Sequence, residues 1–305
     1  MPSLREVIRR LLLCTATALA VALTGCGAQA KPTAATTTTT IPAGTSSHQL
    51  RSPDGQQRTF GVHRPAVQPG AKGYPLVLML HGGFGTGTQA ELAYGWDDLA
   101  EREGFVVVYP DGVDRAWNAG SCCGAPQRDG IDDVAFVVAL VAQLDGMVSI
   151  DASRRYVTGM SNGAMMAYRL ACETTLFAAV APVAGTQLVS CTDGQPTSVL
   201  HLHGTNDTRV HLDGTTGDGV AKVTGPPIAE VLAGWRQRDH CAAFATTIAG
   251  AVTTSTADCP LGRTVEWILI EGMGHEWPGG ARSSTQLEAT AVIWDFFQQH
   301  RRAAS

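Results

Sequence analysis

Tyr156-Val157-Thr158-Gly159-Met160-Ser161-Asn162-Gly163-Ala164-Met165-Met166 reads as a short apolar strand, a sharp turn with a glycine on either side of the serine, and the opening of a helix. Small flanking residues suit a turn whose serine sits in a strained backbone conformation that lifts its hydroxyl above a sheet. The helix that follows would aim backbone N–H groups and the positive end of its dipole at the space beside that hydroxyl, where an oxyanion would form. In a chain with 34 glycines a bare G-x-S-x-G pattern is a weak signal. Its setting between a strand pattern and a helix pattern is what gives it weight. The competing reading is a glycine-rich turn with an idle serine.

Outward from this turn, strand and helix signals alternate, the pattern of a mostly parallel sheet with helices on its faces. An opening hairpin is expected, with Pro53-Asp54-Gly55 as its turn and Thr59 to Val62 on the return. Leu76 to Leu80 and Phe105 to Tyr109 are short continuous apolar runs, as expected of strands buried on both faces, with one helix from about Glu91 to Glu103 between them. Asp132 to Val148 reads as a helix and Arg155 to Thr158 as the strand leading into the serine turn. A helix from Gly163 to Cys172 follows, then strands at Ala178 to Val183 and Val199 to His203. A helix at Ile228 to Arg238, a strand at Thr264 to Ile270 and a closing helix at Thr285 to His300 complete the pattern. The expected class is α/β, an α/β-hydrolase fold with a mostly parallel central sheet and helices on both faces.

A serine hydroxyl at neutral pH needs a base, and the base needs an orienting carboxylate; in this fold the chain order is serine, acid, histidine. Val199-Leu200-His201-Leu202-His203-Gly204-Thr205-Asn206-Asp207 places an aspartate in the loop just after a strand, and Trp267-Ile268-Leu269-Ile270-Glu271-Gly272-Met273-Gly274-His275 does the same for a histidine. Ser161, Asp207 and His275 are therefore all expected at strand C-terminal ends. Asp213 and Asp218 have no strand directly before them, His201 should point into the sheet and His203 sits at its edge. The competing readings are a turn-stabilising Asp207 and a surface-loop His275. Leu80-His81-Gly82-Gly83-Phe84-Gly85 supplies a second loop whose backbone approaches without side-chain obstruction, so the expected oxyanion donors are the Asn162 and Gly83 amides. His81 reads as a structural histidine that ties this loop. Trp117, Asn118, Trp277 and the loop from Ser121 to Gly130 are candidates to line a substrate groove, against the alternative that both tryptophans are packing residues. Asp132 and Asp133 read as helix N-terminal acids.

The chain has 305 residues, 44% hydrophobic and 16% charged, enough to bury a sizeable core and too apolar for a disordered protein. Its net charge of -5 argues against a nucleic-acid partner. Arg5, Arg9 and Arg10 precede the apolar run Leu11 to Leu23, the layout of a secretory signal and too short for a comfortable transmembrane helix. That run closes on Leu23-Thr24-Gly25-Cys26, which resembles the bacterial lipobox; lipid on Cys26 would tether the protein to the outer face of the membrane, the alternative being an ordinary signal with an incidental cysteine. Residues 1–25 are thus expected to be an export signal, 26–46 a flexible Thr/Ala/Pro-rich tether and 47–305 the folded domain. Eight cysteines are present, and setting aside Cys14 and Cys26 leaves an even six, which in an exported chain read as disulfides. Proximity suggests Cys172 with Cys191 and Cys241 with Cys259, leaving Cys122 and Cys123 as a vicinal bridge or as thiols. The spacing offers no Cys-x-x-Cys or His-x-x-His pair, so no metal and no cofactor are expected.

The motifs taken together are specific. Leu80-His81-Gly82, Tyr109-Pro110-Asp111-Gly112, Trp117-Asn118, Cys122-Cys123-Gly124, Asp132-Asp133-Val134, Gly159 to Gly163, His203 to Asp207 and Gly274-His275-Glu276-Trp277-Pro278-Gly279 resemble the polyhydroxybutyrate depolymerase-like and feruloyl esterase-like exported hydrolases, relatives of carbohydrate esterase family one. The resemblance runs from about residue 47 to residue 300 and implies a Ser161-Asp207-His275 triad acting on an ester. One departure is Gly83, where many relatives carry a cysteine; the backbone donor is unaffected, but the cysteine arithmetic changes. The expected function is an exported serine ester hydrolase, a monomer held to the membrane through Cys26, acting on hydroxyalkanoate, feruloyl or acetyl esters. A cell-envelope acyltransferase on the same fold and a non-catalytic binding protein are the rival readings.

Overall fold

The computed structural model describes residues 40–302 apart from 193, 281 and 282. The expected export signal, Cys26 and the expected tether up to residue 39 lie outside the described residues. Folded structure begins slightly earlier than residue 47: Ile41 is buried in the core and the first strand starts at Gly44.

In chain order the elements are β1 (Gly44–Arg51), β2 (Gln57–Arg64), β3 (Tyr74–Leu80), α1 (Gly87–Tyr94), α2 (Trp96–Glu103), β4 (Val106–Pro110), α3 (Gly124–Arg128), α4 (Asp133–Met147) and β5 (Ile150–Met160). They continue with α5 (Asn162–Glu173), β6 (Ala179–Val183), β7 (Ser198–Gly204), α6 (Ile228–Arg238), β8 (Ala245–Ala249), β9 (Val252–Cys259), β10 (Arg263–Ile270) and α7 (Ala289–Gln298). The strands form one sheet in the order β1-β2-β4-β3-β5-β6-β7-β10-β9-β8. Its centre, β4-β3-β5-β6-β7-β10, is parallel throughout, and antiparallel pairs close both edges.

Side-chain alternation along β3 explains why the sheet is covered on both sides. Leu76, Leu78 and Leu80 point into a core shared with Phe136 and Leu140 of α4, Met165 and Met166 of α5 and Leu232 of α6. Val77 and Met79 point the other way, toward Leu99 of α2 and Ile293, Trp294 and Phe297 of α7. All seven β3 residues are buried, and each such Leu or Val contributes up to about 1.5–3 kcal/mol by leaving water.

Two departures from the sequence pattern have local causes. The single helix expected at 91–103 is two, because Gly95 takes a left-handed conformation (φ 68°) and serves both as the end of α1 and the cap of α2. The β8–β9 hairpin is absent from the sequence reading because its strands are threonine-rich and, apart from Ala257 and Cys259 at the end of β9, half or wholly exposed, with no apolar alternation to see. The closing helix also starts at Ala289 rather than at residue 285. The cysteines pair as Cys172–Cys191, Cys241–Cys259 and Cys122–Cys123, so the two adjacent cysteines form the bridge and are not thiols.

Candidate active site

The parallel strands deliver their C-terminal ends to one edge of the sheet. From β3 the chain steps to β4 on one side and then crosses to β5 on the other, so β3 and β5 flank a topological switch point. Ser161 follows β5 at that point. Its backbone is in a left-handed region closed to most side chains (φ 55°, ψ -118°), and its N–H donates to Val183 O at the end of β6 at 2.9 Å. Such a conformation holds only if the neighbours allow it. A Cβ at Gly159 would stand 2.6 Å from Gly163 C, and one at Gly163 would collide with the Leu80 carbonyl, so both glycines are required for β5, α5 and the end of β3 to approach this closely.

Asp207 follows β7 and His275 follows β10, the adjacent strand. Asn206 N–H donates to Met273 O and Gly272 N–H to Thr205 Oγ1, which binds the two loops together. Asp207 Oδ2 and His275 Nδ1 are 2.8 Å apart, with the carboxylate fully buried and the imidazole only 11% exposed. Asp207 Oδ1 accepts from the Arg209 and Val210 amides at 2.8 and 2.9 Å. His203 Nε2 lies 3.2 Å from Asp207 Oδ2. Burial alone would raise the pKa of this carboxyl, but the hydrogen bonds and charge interactions of His203 and His275 hold it well below the usual carboxylate range. Asp207 is therefore an anion at neutral pH, and His275 carries its proton on Nδ1, leaving Nε2 to act as a base. Among the described residues neither the Ser161 hydroxyl nor His275 Nε2 has a hydrogen-bond partner, so both are free to bond to a third group.

The loop after β3 lies directly over the serine turn. A Cβ on Gly82 would be 3.6 Å from the Ser161 Cβ, and one on Gly83 would be 3.9 Å from the Asn162 Cβ. Asn162 opens α5, so its amide has no intrahelical acceptor. The Gly83 amide donates to no group among the described residues. The Asn162 side chain performs a task the sequence did not reveal: Oδ1 accepts from Trp117 N–H at 2.7 Å and Nδ2 donates to Trp117 O at 2.9 Å. His81 accepts from Gly112 N–H on Nε2 at 2.9 Å, which leaves Nδ1–H to donate to Gly82 O at 2.8 Å. Burial lowers its pKa, so it is a neutral brace for the loop.

Of the three residues expected to line a groove, both tryptophans are buried and the asparagine is half-buried with its side chain bonded to backbone. Trp117 is fully buried, its indole N–H donating to His81 O at 2.9 Å and its backbone clamped by Asn162, so it is scaffolding beneath the loop after β3. Trp277 is 4% exposed, stacked on Tyr94 at 4.5 Å and bonded through Nε1 to Thr290; it anchors the His275 loop to α1 and α7. Asn118 spends its side chain on Ile131 O and Gly120 N–H. Phe84, beside Gly83, presents a 65% exposed ring. Of the two helix-start acids, Asp132 caps α4 by accepting from Ala135 N–H, whereas Asp133 is buried and paired with Arg58 at 2.8 Å while accepting from Asn118 N–H, more than a dipole partner. Asp213 and Asp218 are exposed, away from His275.

Residues 64–221 match the family model described as esterase PHB depolymerase. The chain is 32% identical over 251 residues to the protein named as an esterase, NocK, of Nocardia uniformis subsp. tsuyamanensis, covering 74% of this chain and 72% of that protein. It is 30% identical over 209 residues to feruloyl esterase C of Emericella nidulans, covering 67% of this chain and 68% of that protein. The solved acetyl xylan esterase from Aspergillus awamori shares the fold with a TM-score of 0.60 at 18% identity, over 83% of this chain and 99% of that one. A braced serine turn, a buried carboxylate and histidine in contact at the same sheet edge, and these matches lead to one conclusion: the chain belongs to the esterase PHB depolymerase family of ester hydrolases.

Proposed function

We propose that the protein is an exported serine ester hydrolase in which Ser161 attacks the ester carbonyl, His275 is the base and Asp207 fixes the His275 tautomer. The observation that carries this is the 2.8 Å Asp207–His275 contact on the sheet edge that also bears the strained Ser161 turn. In the first step Ser161 Oγ bonds to the carbonyl carbon and its proton passes to His275 Nε2. The tetrahedral oxyanion accepts from the Asn162 and Gly83 amides, and its collapse expels the alcohol, which takes the proton from His275. Water then attacks the acyl-enzyme with His275 again as base, releasing the acid and restoring Ser161.

The substrates are hydroxyalkanoate, feruloyl or acetyl esters, a class supported by the family match and by feruloyl and acetyl xylan esterases among the relatives and fold neighbours. The three cysteine bridges accord with an oxidising space outside the cell. Lipid on Cys26 would keep the enzyme, a monomer, at the membrane surface; fractionation of a Cys26→Ala variant with membranes would remove that part of the proposal. The test of the chemistry is hydrolysis of a short nitrophenyl ester by Ser161→Ala, expected to be lost with the circular dichroism spectrum unchanged. Retained activity would remove Ser161 as nucleophile. Methyl ferulate, acetylated xylan and hydroxybutyrate oligomers, compared as substrates, would separate the three ester classes.

A further inference from the structure

Behind Asp207 runs a buried file of polar side chains that the reaction does not itself need. Tyr168 Oη, from α5, is 2.9 Å from His201 Nδ1. His201 Nε2 is 2.9 Å from His203 Nδ1. His203 Nε2 is 2.8 Å from Val210 O and 3.2 Å from Asp207 Oδ2. Tyr168, His201 and His203 are all wholly buried. The two histidines share a face because they stand two apart on β7, a spacing that puts side chains on the same side of a strand.

The proton positions along this file follow from its last members. A backbone carbonyl and an ionised carboxylate can only accept, so His203 Nε2 must carry hydrogen. A neutral His203 then has a bare Nδ1, which must accept from His201 Nε2–H. His201 in turn has a bare Nδ1, which accepts the Tyr168 hydroxyl. Every bond is satisfied, and all point one way, toward Asp207. Taking up one proton from solvent would reverse the file: His203 would become a cation with both nitrogens donating, His201 would accept on Nε2 and donate from Nδ1 to Tyr168. That state places a second cation 3.2 Å from the oxygen that must stabilise the imidazolium of His275 during acyl transfer.

We propose that His203 is a positioning residue: its neutral Nε2–H, oriented by the Tyr168–His201 file, steadies Asp207 Oδ2 without placing a second cation beside it. This rests on the triad reading above. The titratable groups facing His203 are His201 on its own strand, Tyr168 from α5, and Asp207 and His275 from the two loops. Burial of His201 drives its pKa well down, consistent with a file that stays uncharged.

The first test uses the intact protein. Long-range 1H–15N spectra of the imidazoles should show the Nε2–H tautomer at both His201 and His203. An Nδ1–H tautomer at His203 overturns the proposal. The second test follows the pH dependence of Ser161 labelling by a fluorophosphonate in His203→Leu and His203→Gln. Leucine removes the donor, so Asp207 bears more charge on Oδ2 and the acid limb should move up by about one pH unit, the scale of one hydrogen bond to a carboxylate. Glutamine restores an N–H near the Nε2 position and should return the limb to within about 0.3 unit of wild type. A purely structural His203 would lower the rate in both variants without moving the limb, and that result sinks the proposal. Ser161→Ala is the control: labelling that persists in it overturns the triad and this inference together, whereas labelling abolished in it with an unmoved limb in His203→Leu overturns this inference alone. If His203→Leu does not fold, the wild-type spectra decide.

Discussion

Replacing Asp207 with asparagine exchanges one carboxylate oxygen for an NH2 group in a pocket where four donors converge: the Arg209 and Val210 amides, His275 Nδ1 and His203 Nε2. The amide has one oxygen to offer. If that oxygen keeps the two backbone amides, the NH2 faces His275 and obliges Nδ1 to accept, which moves the ring proton to Nε2, the atom that must be bare to take the Ser161 proton. If the amide turns over, two backbone N–H groups are left facing a donor in a buried site, at about 1–3 kcal/mol each. The first arrangement has the lower cost and should dominate. A wrong tautomer lowers kcat by about 10⁴ in the serine proteases, or about 5.4 kcal/mol at 1.36 kcal/mol per tenfold. Steady-state hydrolysis of a short nitrophenyl ester should therefore show kcat down by about 10³–10⁴ with KM nearly unchanged. A variant that folds and keeps more than a tenth of wild-type kcat would refute the reasoning. The substitution also carries a stability sign. Because folding depresses the Asp207 pKa, its contribution is present above about pH 4 and is lost as pH falls below that value. The stability advantage of wild type over Asp207→Asn should therefore shrink in acid; an advantage that grows would contradict the pairing.

Two further expectations concern the frame. The Cys172–Cys191 bridge ties the end of α5 to the segment before β7 across a separation of 19 residues, and loop-closure entropy assigns such a bridge about 3 kcal/mol. Urea unfolding of the Cys172→Ser, Cys191→Ser double variant should show a loss of that order, and a loss under about 1 kcal/mol would mean that the reduced chain is already constrained. Gly163→Ala puts a Cβ into the Leu80 and His81 carbonyls and should cost more than about 3 kcal/mol or prevent folding, while Gly146→Ala, in α4 with open space around it, should be neutral or stabilising by up to about 1 kcal/mol. Equal effects of the two alanines in thermal melts would show that close packing of β3 on α5 is not what the serine turn depends on.

What the sequence made legible was set by which signals are local. The apolar runs of β3, β4 and β5 announce strands buried on both faces, and a serine, an aspartate and a histidine placed directly after such strands share an edge because parallel strands share a direction. The roles of Trp117, Asn118 and Trp277 were not legible, since whether an aromatic or amide side chain lines a groove or fills a core depends on which distant loop lands on it. Trp117 is covered because Asn162 and His81, 45 and 36 residues away, both bond to it. The same holds for the β8–β9 edge, whose threonines pair only because β10 is already in place to receive β9.

The histidines of β7 fall between these cases, and they show where a closer reading of pattern reaches. Their spacing of two on a strand already says that they share a face, so a reading that sends one into the sheet and the other to its edge discards information the pattern held. A buried face bearing two imidazoles must find partners for four ring nitrogens. One nitrogen pair is met between the histidines themselves, which leaves one nitrogen at each end, and the chain direction puts the end nearer Gly204 beside the Asp207 loop. A carboxylate at that position therefore has a histidine on its own strand as well as one from β10. The acid of the site is held from two sides, by groups that differ in one respect: in the proposed reaction His275 changes its charge, and it faces partly outward, while His203 is wholly buried at the end of a file of neutral hydrogen bonds.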